Sequence, residues 1–109
     1  MNVRLYILQR GSAALMVPLV LLHLGVIFYA SARGLSAADI FARTQGSLFW
    51  GSFYAAFVVA AATHAAIGVR SIAAEWTSLR GAALEVLMWS FGLLLAALGF
   101  IAVAAVVLA

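Results

Sequence analysis

The sequence predicts an all-α integral membrane protein, a bundle of three transmembrane helices forming a single membrane domain over residues 1–109. Three observations predict it. Hydrophobic residues make up 68% of the chain and charged residues 8%, against about a quarter charged in a soluble domain, so the solvent of this chain is lipid. Apolar runs occur three times, each long enough to cross about 30 Å of hydrocarbon at 1.5 Å per residue. The charged side chains gather between and beside those runs, as interfacial residues do.

The first span is expected over about 8–29. The arginine-bearing start MNVRLYILQR does not read as a cleaved signal, because the apolar run after it is too long and ends at no small-residue cleavage site. Pro18 lies inside this span, where proline is tolerated. The connection SARGLSAADIFARTQG follows. Its Ser36, with Asp39 three residues later, resembles a capping box and predicts a short interfacial helix. The second span is expected over about 48–69 and the third over about 84–107, joined by RSIAAEWTSLRG. Small residues are dense in both: Ala55, Ala56, Ala60 to Ala62, Ala65 and Ala66 in the second, and Gly92, Ala96 and Gly99 in the third. Such faces let helix backbones approach closely, either within the chain or against a partner subunit. Glu85 opens the third span near Arg80, though a spacing of five makes no helical pair.

All six basic residues are arginine. Arg4, Arg10, Arg70 and Arg80 fall on one side of the three spans and Arg33 and Arg43 on the other. The positive-inside rule then places the N-terminus and the second loop in the cytoplasm, in a bacterial-type inner membrane. Tyr29, Trp50, Trp76 and Trp89 lie near span ends, as an aromatic belt requires. In this setting the basic excess reads as topology and lipid contact, and nucleic acid is not an expected partner. The sequence contains no cysteine, so this chain cannot itself ligate an iron–sulfur cluster or a thiolate zinc site.

The chemistry concentrates in THAAIGVRSIAAEW, Thr63 to Trp76. A histidine within a membrane helix is costly unless it has a partner. Gly68 stands one turn beyond His64 on the same face and opens a flat gap beside the imidazole. Neutral imidazole is a good axial haem ligand, and the other reading of His64 is a hydrogen bond to a neighbouring helix. His23 falls at a different depth because the second helix runs the opposite way. Axial ligands of one iron lie only about 4 Å apart, two metal–nitrogen bonds of about 2 Å, so the two histidines are not expected to share a haem. His23 therefore either ligates a second haem with a partner's histidine or packs as a structural residue. Arg10, with Gln9 and Ser12 in LQRGSA, offers a planar fork for haem propionates or a quinone oxygen; otherwise it is a topological anchor. Glu75 and Trp76 read either as ligand contacts or as a solvated loop and belt. No nucleophile–base constellation, phosphate loop or carboxylate cluster is present in the sequence, so the chain is read as serving an enzyme rather than being one.

LQRGSA at the start of the first span and HAAIGVRSIAAEW at the end of the second resemble the hydrophobic D-type, cytochrome b anchor subunits of succinate dehydrogenase and fumarate reductase, the complex II family. That family pairs a QR-x-[ST]-A-like motif with H-x-x-x-G and an acidic–aromatic pair about eleven residues after the histidine. His64, Gly68, Glu75 and Trp76 stand at those positions. The resemblance implies that His64 is an axial ligand of haem b and that Arg10 lies near the propionates and the quinone pocket, with Ser12 a candidate quinone contact. Trp76 replaces the family's usual tyrosine and Glu75 its usual aspartate; an indole donates a hydrogen bond but passes on no phenolic proton. One or two haems b shared with a partner, a quinone, a second membrane anchor, an iron–sulfur subunit and a flavoprotein are the cofactors and partners it implies. The function so implied is anchoring a succinate:quinone oxidoreductase and passing electrons from the iron–sulfur subunit to the quinone pool of respiration.

Two other classes compete. A small transporter or channel protomer would need a mid-membrane carboxylate or a polar stripe, and all three acids lie near span ends. A haem-free scaffold, its histidines only packing, would purify colourless. Within the redox class, the anchor of another diheme cytochrome b quinone oxidoreductase is the neighbouring alternative.

Overall fold

The computed structural model describes residues 2–108. Among them four helices form, α1 (Val3–Arg33), α2 (Ala37–Thr44), α3 (Leu48–Trp76) and α4 (Ala82–Val107). Of these, α1, α3 and α4 are long and apolar enough to cross a membrane. Helices α1 and α4 begin before the apolar runs read from the sequence, and α1 and α3 run past their ends, because the caps of α1 and α3 rather than the limits of apolarity set those two helices. Asn2 accepts the Leu5 amide at the head of α1, and Gly34 closes its other end with a left-handed φ of 62°. Ser47 accepts the Trp50 amide to start α3, which then runs on through Arg70 to Trp76. At 1.5 Å per residue the 31 residues of α1 reach about 46 Å, so its ends extend past the hydrocarbon. Pro18 is accommodated without interrupting α1.

The expected interfacial helix is α2. Its capping box is complete: the Asp39 amide donates to Ser36 Oγ at 3.2 Å, and the Ser36 amide donates to Asp39 Oδ2 at 2.9 Å. Hydrogen bonding to the Ser36 amide and then to its side chain holds the exposed Asp39 carboxyl below its ordinary pKa, with the Arg43 charge a smaller contribution. The segment folds back on the end of α4. Thr44 Oγ1 donates to the Val106 carbonyl and the Gly46 amide to the Val107 carbonyl, both at 2.7 Å. Helix C-termini leave carbonyls without intrahelical partners, and here the α2–α3 connection supplies the donors.

Helix α3 lies between α1 and α4 and makes most of the contacts of each. Its seam with α4 is built on small residues. A Cβ on Gly99 would stand 2.6 Å from Val58 Cγ1, and one on Gly92 would stand 2.9 Å from Ala66 Cβ. The glycines of the third span therefore serve contact within the chain, through close backbone approach. A small core of Ala66, Ile67 and Met88, with Leu5 packed on it, closes the end of the bundle that carries Arg70. At that end Arg70 Nε and Nη2 both donate to Glu85 Oε1, at 3.0 and 2.9 Å. Glu85 is thus held by Arg70 on α3, not by the nearer Arg80, whose guanidinium donates to the Thr77 and Leu79 carbonyls. The reason is geometric: α3 outruns the predicted span and brings Arg70 alongside the first turn of α4.

Candidate functional site

The seam between α1 and α3 holds the buried side-chain atoms that have no hydrogen-bond partner among the described residues. Gly68 faces α1, where a Cβ on it would stand 3.6 Å from Gln9 Nε2, an ordinary contact. Ser12, one turn along α1 from Gln9, is buried and donates to the Gln9 carbonyl at 3.1 Å. His64, one turn from Gly68, lies on the same stripe of α3 and is half-buried. His64, Gly68, Ser12 and Gln9 are therefore grouped along one interface. Within LQRGSA it is Gln9 that turns inward. Arg10 is exposed, its guanidinium carbon 6.0 Å from the Tyr6 ring centre. Glu75 is exposed and Trp76 is 82% exposed at the last residue of α3, so neither joins this group within the chain.

His23 sits elsewhere. Its ring meets Phe57 at 5.3 Å and Tyr54 at 5.9 Å between centroids, both edge-on. Those two residues precede His64 by seven and ten positions on α3, which separates the two imidazoles by about 10–15 Å along the helix at 1.5 Å per residue. His23 also borders an apolar groove of about 560 Å³, walled by Phe57, Ala61, Ala65, Leu95, Gly99 and Val103. A second recess of about 340 Å³, lined by Leu8, Thr63, Ile67 and Trp89, carries no histidine.

The two imidazoles share one property. Nδ1 of each is buried with no hydrogen-bond partner among the described residues, and so is Gln9 Oε1. A buried nitrogen left unpaired costs roughly 1–3 kcal/mol, and lipid offers it nothing. Neither ring is paired at that nitrogen by another described residue. Among the described residues no group of three or more histidine, cysteine or acidic side chains gathers to hold a metal. A metal that brings its own equatorial ring ligands, as haem iron does, needs only axial imidazole, and the donor set fits that case.

Sequence reasoning did not anticipate Tyr54 and Phe57 as neighbours of His23, nor Gln9 as the inward residue. Tyr54, Phe57 and Ala61 follow at helical spacing on α3, which marks them as one face but does not say which helix covers it.

The comparisons bear on the whole arrangement. A search of curated proteins and a search of solved structures each return no match. The family described as "Succinate dehydrogenase/Fumarate reductase transmembrane subunit" matches residues 1–108. With that match over an all-helical chain bearing three membrane-length helices, the protein belongs to the succinate dehydrogenase/fumarate reductase transmembrane subunit family.

Proposed function

We propose that this chain is the membrane anchor of a succinate:quinone oxidoreductase, sharing haem b and quinone with a second anchor subunit and carrying electrons from an iron–sulfur subunit toward quinone. The observation that carries this reading is the pair of half-buried imidazoles, each with an unpartnered Nδ1, within a chain of this family. His64 and His23 would each hold a haem through a ring nitrogen, at two levels of the bundle. Haem bound there supplies one-electron carriage across the lipid. The rest is done by the chain: α3 sets the depth of His64, and Phe57 and Tyr54 fix the plane of the His23 ring. The apolar groove excludes water from that ring. Ser12 and Gln9 offer polar atoms beside Gly68 at the same end as Arg10, where a quinone headgroup would find hydrogen-bond partners. Arg10 and Trp76, exposed in the single chain, are available to groups contributed by the partner anchor. The N-terminus and the Arg70–Arg80 loop are cytoplasmic in this reading, facing the iron–sulfur and flavoprotein subunits.

The test is a reduced-minus-oxidised visible spectrum of the purified complex, for wild type, His64→Ala and His23→Ala. Loss of part of the b-type absorbance in each variant is the expected result. Loss in His64→Ala alone would make His23 structural, and unchanged spectra in both would remove haem ligation from this chain.

A further inference from the structure

The groove beside His23 has a charged rim. Tyr29 follows His23 by six residues on α1, about 9 Å along the helix. Two guanidinium carbons lie over its ring, Arg33 at 5.6 Å and Arg43 at 5.5 Å. Arg33 belongs to the last turn of α1 and Arg43 to the last turn of α2. They converge only because α2 is folded back and tied to α4 through Thr44 and Gly46. Among the described residues the one salt bridge is Arg70–Glu85, so neither guanidinium holds a carboxylate. Asp39, the nearest acid in sequence, is engaged by Ser36.

The rim and the groove are continuous. A pocket of about 100 Å³ lined by Tyr29 and Arg43 shares Ile40, Thr44 and Tyr54 with the groove that His23 borders. One recess therefore has an imidazole on its border, aliphatic and aromatic walls, and Arg43 at its rim, with Arg33 beside it over the same Tyr29 ring. Cation–π contact with Tyr29 holds both guanidiniums in place. Two cations on one ring repel, and an anion between them offsets that repulsion. Arginine presents its fork to a carboxylate in bidentate fashion.

We propose that Arg33 and Arg43, held over Tyr29, anchor the carboxylates of the planar group that His23 ligates. This rests on the haem reading of His23 given above. A lipid phosphate would satisfy the same two charges, but it gives no role to the imidazole and the apolar walls that continue from them.

The experiment uses the whole complex, with Arg33→Gln/Arg43→Gln, Arg33→Lys/Arg43→Lys and His23→Ala beside wild type. Redox titration of the b-type absorbance gives the midpoint potentials, and extraction gives bound anionic phospholipid. Removing nearby positive charge favours the more positive, oxidised iron. The double glutamine variant is expected to shift to more negative potential the one centre that His23→Ala abolishes, leaving the other unchanged. The double lysine variant, which keeps both charges, is expected to return it most of the way. If His23→Ala abolishes a centre and the glutamine variant shifts none, the proposal is overturned while the haem reading stands. If His23→Ala abolishes none, both fall. Loss of bound phospholipid with no change in potential assigns the arginine pair to lipid and also overturns it. Should the glutamine variant not assemble, Arg43→Gln alone decides by the same shift.

Discussion

The two faces of α3 are built differently. Toward α4 its contact is tight: Val58 and Ala66 meet glycines so closely that no Cβ fits, apolar recesses flank the line of contact, and no α4 side chain is among the buried unpaired ones. Toward α1 it is open: Gly68 meets only the Gln9 amide at an ordinary distance, and three polar atoms on this side are buried without partners. The first seam is complete within one chain and holds the fold. The second is unfinished, and its unpartnered atoms belong to Gln9, His23 and His64. In lipid, where apolar burial gives helices little drive to associate, close contact of small residues supplies the cohesion. This leaves the other face free to carry costly polar groups, which the proposed function assigns to a cofactor and a partner.

Glycine substitutions test that contrast with the largest expected effect. Gly99→Ala places a methyl against Val58, and overpacking of this kind typically costs about 1–3 kcal/mol. Gly68→Ala is expected to be neutral or to gain up to about 1 kcal/mol from helix propensity. Thermal unfolding of the complex in detergent reads both. Equal losses at the two positions would show that the seams do not differ. If Gly68 lies against a cofactor, its alanine variant alters the visible spectrum while leaving the unfolding midpoint in place.

A smaller effect is expected at the Arg70–Glu85 pair, which ties α3 to α4 outside the small-residue seam. Both nitrogens share one oxygen, but Glu85 is 48% exposed, so the coupling should be at most about 1 kcal/mol. A double-mutant cycle with Arg70→Gln and Glu85→Gln, repeated at high salt, measures it. A coupling well above that would mean the α3–α4 seam depends on charge as well as on close approach.

The smallest effect concerns α2, which frames the His23 groove. Asp39 has its folded pKa lowered from an ordinary 3.8 by its bonds with Ser36. Its contribution is present above that ordinary value and lost as pH falls through the lower, folded one. Amide exchange in α2, corrected for intrinsic rates, should therefore rise at acid pH in wild type. In Asp39→Asn it should vary less with pH. An identical acid response in both proteins would dissociate the capping box from the order of α2.

Much of this architecture is legible in the residues. Apolar run length dictates three membrane-length helices, Ser36 and Asp39 announce α2, and the spacing of His64 and Gly68 puts them on one stripe of α3. Helix ends were read short because hydropathy reports where lipid stops, whereas a helix continues until its amides and carbonyls are capped. That shortening hid the reach of Arg70 to Glu85. Arg10 and Gln9 are adjacent in sequence, and which of them turns inward depends on the rotation of α1 against α3, which an apolar helix leaves unmarked.

Composition and local period suffice for the solvent, the number of long helices and the residue types able to hold a cofactor. That α3 is the central helix, and that Gly92 and Gly99 serve it, emerges from packing. The same holds for His23 facing Tyr54 and Phe57, and for two arginines from different helices meeting over Tyr29. These are contacts between distant segments of nearly uniform apolar helices. Their choice rests on shape at close range, Gly99 against Val58 and Thr44 against the end of α4, which no local pattern of hydropathy records.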